Sequence, residues 1–117
     1  MTRDEMRQKW LDALRSGEYK QSISQLHSED GFCCLGVACV VLKDELGLKV
    51  ETSYENDFSY DGARVTAPDK LVDALGLYSE FGDLPDKTGS LASLNDGEVY
   101  TFEQIADEIE TGNYWRD

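Results

Sequence analysis

The segment from residue 32 to residue 42 constrains the fold more than any other part of the chain. It reads FCCLGVACVVL and carries no charged side chain. Leu35, Cys39 and Leu42 recur at helical spacing, and valines fill the other faces of the same helix. A helix that is apolar nearly all round is buried on several sides. The sequence therefore predicts a central helix in the core, which ends at Gly47.

Capping boxes predict two further helices, one near each end of the chain. Thr2 and Thr101 are each followed three residues later by Glu or Gln, the spacing at which both side chains satisfy free N–H groups of the first helical turn. The first helix is expected over residues 3–16. A third amphipathic stretch follows Pro68, which suits a first helical turn. About four helices are thus predicted.

Alternating apolar and polar residues predict short antiparallel strands between residues 48 and 60. Together with the helices, they indicate an α+β fold in a single compact domain that covers residues 1–117. The residues expected to face inward from the strands are Leu48, Val50, Tyr54, Phe58 and Tyr60.

The charge of the chain excludes some classes of partner. The formal net charge is −13, from 24 acidic and 11 basic residues. The first 20 residues hold five basic and four acidic side chains, and the remaining 97 hold six basic and twenty acidic ones. Such a surface does not follow nucleic-acid phosphates by counterion release, nor an anionic membrane. We therefore expect no direct nucleic-acid or membrane partner.

The three cysteines indicate a reducing compartment. Cys33, Cys34 and Cys39 are odd in number and crowded together, whereas disulfide frameworks use even, spread cysteines. No apolar run reaches the length of a membrane span, and we expect no leader segment. The interpretation is a soluble cytoplasmic protein with reduced thiols.

Catalytic, metal and cofactor sites are not predicted. The single histidine, His27, and the nearby thiols would need to meet in space to form a nucleophile and base. The cysteine spacing lacks the paired pattern of zinc modules. Loop acids such as Glu29 and Asp30 lack EF-hand spacing, which leaves solvated carboxylates as the simpler interpretation.

The end of the first helix is the most suggestive polar cluster for ligand binding. Arg15, Tyr19 and Gln21 combine a guanidinium, an aromatic ring and an amide, a mixture that is typical of sites for planar or anionic groups. A solvated Arg15 is the structural alternative. Trp10, one helical turn earlier, is expected in the core.

Two further elements are candidates for the same site. Gly36 interrupts an apolar helix, which calls for the close approach either of another chain segment or of a ligand. Asn95 and Asp96 precede a glycine in a turn, where their side chains either cap the backbone or face a ligand. The expected binding set, which also includes the thiol before Gly36, is Arg15, Tyr19, Gln21, Cys34, Gly36, Asn95 and Asp96.

Four motifs carry a resemblance to a known group of proteins. They read W-x-x-A-L-R-S-G-x-Y-x-Q from Trp10, G-F-C-C-L-G-V-x-C from Gly31, L-N-D from Leu94, and F-x-x-I-A-D-x-I-E from Phe102. In these motifs the chain resembles small bacteriophage and prophage proteins that have no established activity. The resemblance covers both ends of the chain and leaves residues 48–89 unmatched.

The resemblance implies a setting in the cytoplasm of an infected host cell, where small phage proteins block host defences. The first hypothesis is a non-enzymatic counter-defence protein that holds a nucleotide-like or other small host ligand near the N-terminal helix. The alternative is an acidic inhibitor or nucleic-acid mimic that blocks a basic host protein by charge complementarity. A cysteine-dependent enzyme is the third hypothesis.

Overall fold

The apolar segment forms the helix around which the other helices pack. In the computed structural model, which describes residues 1–53, 56–97 and 100–116, helix α2 spans Cys34–Leu46. It contacts α1 (Arg3–Arg15), α3 (Asp69–Leu75) and α4 (Leu91–Asp96). Seven of its residues are buried, and Gly47 ends it in the left-handed conformation. The prediction of a central helix is confirmed.

Both capping boxes are present. Thr2 and Glu5 exchange side-chain and backbone hydrogen bonds at the start of α1. Thr101 and Gln104 do the same at the start of α5 (Phe102–Thr111). Pro68 occupies the position just before α3, where its side chain makes no capping hydrogen bond, rather than lying in the first turn.

The antiparallel strands of the described residues form two hairpins. Strands β1 (His27–Ser28) and β2 (Gly31–Phe32) form one, and β3 (Val50–Thr52) and β4 (Phe58–Tyr60) form the other. The α+β class is confirmed: in the described part of the chain, four helices have seven residues or more, and α4 is shorter.

The predicted facing of the second hairpin is only partly correct. Leu48 and Tyr60 are buried, but Val50 is 38% exposed. The inward prediction for Val50 is wrong: every residue of β3 is exposed, and within the described residues β4 is its one neighbouring strand. The inward prediction for Tyr54 lies outside the described residues.

The aromatic tail packs against the helical side of the core. Tyr114 is buried, and the Trp115 ring meets Trp10 edge-on with their centroids 6.1 Å apart. The guanidinium of Arg7 lies 4.2 Å from the centroid of a Trp115 ring. Trp10 is fully buried as expected, and its indole N–H donates to the Cys34 carbonyl over 2.9 Å. The described chain forms one compact globule with a radius of gyration of 12.8 Å.

Candidate functional site: a polar cleft beside a buried amide

Gly36 allows the segment that follows α1 to cross directly over α2. A Cβ at Gly36 would overlap the carbonyl oxygen of Leu26, and Leu26 is itself fully buried. Of the two explanations for a glycine here, close approach of another chain segment is the one observed. This contact fixes the path of residues 21–26 across the N-terminal end of α2.

The side chain of Asn95 joins this crossing segment to α4 and α2. Asn95 is fully buried. Its Oδ1 accepts from the Gln21 amide over 3.0 Å and from the Cys34 N–H over 3.2 Å. Its Nδ2 donates to the Ser22 carbonyl over 2.8 Å and to Asp96 Oδ1 over 3.2 Å. Because a buried amide is costly to leave unpaired, these bonds specify the position of the segment.

Asp96 extends the same network by one residue. Its Oδ1 accepts from the Ser24 N–H over 3.0 Å, and Ser24 has a φ of 74°, which L residues adopt at a cost. We call the set Gln21, Asn95 and Asp96, with the backbone of residues 22–24 that they hold, the clamp.

A cleft of about 680 Å³ opens beside the clamp. Gln21, Asn95 and Tyr100 line it, together with residues 22–25. Three carboxylates also line it, and its described lining contains no Lys or Arg. The volume falls in the range of small-ligand sites, and the charge favours cationic or neutral groups. The three acidic residues are Glu29, Asp30 and Asp57.

Comparison with protein families assigns the chain to one of them. Residues 2–113 match the model of DUF8296, a domain of unknown function. The chain belongs to this family. No curated protein and no solved structure matches this DUF8296 member significantly.

Arg15 and Tyr19 of this DUF8296 member lie elsewhere. The Arg15 guanidinium bonds to Asp107 over 2.8 Å and to Glu110 over 3.2 Å, both on α5. The hydrogen bonds to Asp107 and then to Glu110 raise the pKa of Arg15. The Tyr19 ring packs edge-on against Phe32 with their centroids 5.5 Å apart. Of the seven expected binding residues, Gln21 and Asn95 line the cleft, and Asp96 holds its rim.

The thiols are buried and protonated. Burial raises the pKa of Cys33 to about 11 and that of Cys34 well above its usual value. The Cys33 sulfur accepts from the Gly36 N–H over 3.4 Å as the cap of α2. A thiolate nucleophile is therefore disfavoured here.

The imidazole ring of His27 packs between aromatic side chains. Its ring stacks between Phe32 and Phe58, with centroid distances of 3.9 Å and 3.8 Å. Its Nδ1 lies 2.9 Å from the Tyr60 hydroxyl. Burial, and then the charge of Lys43, lower the pKa of His27. These contacts join the two hairpins and give the imidazole a structural role.

Within residues 1–53, 56–97 and 100–116, no three His, Cys, Asp or Glu side chains are grouped to hold a metal ion. In the same ranges, no helix is long and apolar enough to cross a bilayer.

Sequence reasoning missed most of the cleft wall. From the sequence, Glu29 and Asp30 are interpreted as solvated carboxylates in a loop, and no prediction covers Tyr100. The signal in the sequence that could have identified this wall is a carboxylate pair close to a polar, serine-rich stretch. The distance in sequence between Asp30 and Tyr100 conceals that they line one cleft.

Proposed function

We propose that the chain is a non-enzymatic binding protein whose cleft holds a polar group of a host molecule. The observation that carries the proposal is the cleft of about 680 Å³ beside the clamp. The hydrogen bonds of Asn95 position one wall of this cleft before any ligand arrives. A preformed wall lowers the entropic cost of binding.

The charge of the cleft decides which ligand class fits. Glu29, Asp30 and Asp57 repel phosphate groups, and the described lining offers no basic side chain to offset them. Arg15, the guanidinium of the expected binding set, is paired with two carboxylates on α5. The cleft therefore supports a guanidinium, ammonium or neutral polar ligand better than the phosphates of a nucleotide.

The phage setting remains part of this proposal. The resemblance carried by the Trp10, Gly31, Leu94 and Phe102 motifs favours a host molecule as the target and counter-defence as the purpose. A protein that acts by occupancy needs only a fixed, complementary cleft. Buried, protonated thiols agree with a role that involves no covalent chemistry.

Calorimetric titration tests the ligand class directly. The panel contains agmatine and spermidine as cations, nucleosides as neutral ligands, and cyclic dinucleotides and ADP-ribose as anions. We expect heat from the cationic or neutral compounds and little from the anions. The absence of heat and of any thermal shift across the whole panel would refute small-ligand binding.

A pair of matched variants locates the binding. Asp57→Asn removes one charge from the cleft, and Asp44→Asn makes the same change at an exposed site on α2. Losing about 1 kcal/mol of charge interaction weakens cation binding about fivefold. We expect this loss for Asp57→Asn alone; equal affinities for the two variants would contradict a site in the cleft.

An acidic protein inhibitor is the second candidate function. It is favoured by the twenty acidic and six basic side chains beyond residue 20. A nucleic-acid mimic would bind a basic host groove through charge complementarity, and salt would weaken that binding. Capture from host lysate at low and high salt tests this, and a partner retained equally at both would argue against mimicry.

A further inference from the structure

A second concavity adjoins the cleft. It has a volume of about 250 Å³ and lies between Val65, Phe81 and the start of α4. Ser24 lines both concavities, so residues 22–25 form a ridge between them. We call the second concavity the notch.

The notch is open to solvent, and its lining is mainly apolar by area, although three serines and Asp96 also belong to it. Val65 is 57% exposed and Phe81 is 44% exposed, and both line the notch. Cys33, which is 5% exposed, also lines it. Burial raises the pKa of this thiol to about 11, so it contributes no charge. Across the ridge, Ile23 lines the cleft and is 42% exposed.

We propose that the cleft and the notch together form a docking surface for a protein partner that presents an Arg or Lys side chain close to a Leu or Phe side chain. The basic side chain enters the cleft, where Glu29, Asp30 and Asp57 lie. The apolar side chain covers Val65 and Phe81 in the notch. The basic half of this inference rests on the proposed function, and the apolar half rests on the notch alone.

Hydrogen bonds to the ridge hold the cleft and the notch at a fixed distance from each other. Ser24 holds a φ of 74° because its N–H is bound by Asp96 and the Ser22 carbonyl is bound by Asn95. Such strain persists only where the surroundings over-determine it. A rigid ridge favours a partner whose two side chains have a defined spacing, since little ordering is needed on binding.

Charge argues against a second copy of this chain as the occupant. Each copy carries a net charge of −13, and the cleft, which is the larger part of the docking surface, is lined by carboxylates. Two such surfaces repel each other, whereas a basic partner gains from both the charge and the apolar contact. The occupant is therefore a different, basic protein.

Labelled peptides of equal length provide the probe. One set carries Arg and Leu separated by one, two or three residues, and the matched sets carry Arg with Ser, or Ser with Leu. Fluorescence anisotropy should show that the best Arg–Leu peptide binds about tenfold more tightly than its Arg–Ser counterpart, which corresponds to burial of roughly one small apolar side chain.

Exposed apolar side chains supply test and control variants of the full chain. Val65→Ser and Phe81→Ser should each remove most of the advantage of the Arg–Leu peptide. Val50→Ser changes a valine that is 38% exposed on β3 and should leave the advantage intact. Because all three side chains are exposed, these variants are expected to fold, and circular dichroism checks that they do.

The possible outcomes separate the two proposals. Equal binding of Arg–Leu and Arg–Ser peptides overturns the docking surface but leaves cation binding in the cleft standing. Binding of Ser–Leu as tight as that of Arg–Leu overturns the basic half. No binding by any peptide overturns the docking surface, and agmatine titration then decides the proposed function separately. Sedimentation that reveals a dimer lost in Phe81→Ser would identify a second copy as the occupant and overturn the inference.

Discussion

A buried and an exposed connection both join the segment around the end of α1 to the C-terminal part of the chain. The clamp is centred on a neutral amide: Asn95 is fully buried and bonds to Gln21, to the Ser22 carbonyl and to the Cys34 N–H. The other connection, which we call the seam, is the ion pairing of Arg15 with Asp107 and Glu110. The carboxylates of the seam are largely exposed, at 66% and 53%.

The difference indicates where the specificity of the fold lies. Exposed ion pairs contribute little because water and salt compete with them. A buried amide is strongly position-dependent, since displacement leaves donors and acceptors unsatisfied in a dry environment. We therefore expect the clamp to contribute strongly to the free energy of unfolding and to fix the shape of the cleft. The seam is expected to contribute little to either.

Gly36→Ala is expected to cause the largest loss of stability, because Gly36 lies directly under the chain segment that the clamp holds. The added Cβ would overlap the Leu26 carbonyl, and a backbone atom cannot rotate away. Overpacking of this kind costs about 3 kcal/mol or more, despite the helix propensity of alanine. Urea unfolding measures the loss.

Gly89→Ala is its matched control. A Cβ at Gly89 meets only Leu84 at 3.8 Å, an ordinary contact. This variant should be neutral or slightly stabilising. If Gly36→Ala were as stable as Gly89→Ala, the close crossing of residues 21–26 over α2 would be wrong.

Asn95→Ala is the next largest expected effect. It leaves the Cys34 N–H and the Ser22 carbonyl without their partner, while the Gln21 amide keeps its bond to the Tyr100 carbonyl. We expect a loss of about 3 kcal/mol in the free energy of unfolding, from two unsatisfied groups at roughly 1–3 kcal/mol each. Asn113→Ala, at an exposed position, is the control. A loss below about 1 kcal/mol would mean that the clamp does not organise the cleft wall.

The pH dependence of stability tests the junction of the two hairpins beside the cleft. Burial lowers the pKa of His27 in the folded state, whereas the unfolded chain takes up this proton near pH 6.5. The unfolded state then binds more protons as the pH falls below that value, so the folded state loses stability on acidification.

Thermal unfolding at pH 7.5 and 5.5 measures this effect. His27→Phe keeps an aromatic ring between Phe32 and Phe58 without the titration. The fall in Tm between the two pH values should be larger for the wild type than for the variant, and smaller than the effect of Asn95→Ala. An equal fall in both proteins would assign the pH dependence to carboxylates instead.

Arg15→Gln has the smallest expected effect. Losing the seam should cost about 1 kcal/mol or less at low salt. Raising the salt to 1 M should bring the variant and the wild type together, because screening removes the same interaction. A loss above about 2 kcal/mol that persists in high salt would place the seam on equal terms with the clamp and break the comparison.

The parts of the fold that depend on local chemistry were predictable. The capping boxes at Thr2 and Thr101, the stop at Gly47 and the apolar α2 each depend on residues a few positions apart. The orientation of Val50 was not predictable from alternation, because alternation shows that two faces differ and not that another element covers one of them.

The candidate site was predictable only in fragments. Gln21 and Asn95 were both selected, but their hydrogen bond spans 74 residues of chain, and no local pattern encodes such a pairing. Arg15 was predicted to belong to the binding site. Its partners Asp107 and Glu110 come from α5, and they cancel its charge only once the helices pack. Net charge was visible in the sequence, whereas its distribution around one cleft was not.

The three thiols have a practical consequence. Cys33, Cys34 and Cys39 are each no more than 5% exposed, and burial raises the pKa of each. An alkylating reagent can therefore reach Cys34 and Cys39, which are fully buried, only when the packing around α2 opens. The buried thiols are therefore natural probes of core opening. The rate at which they are alkylated in the native protein would report how often the packing around α2 opens.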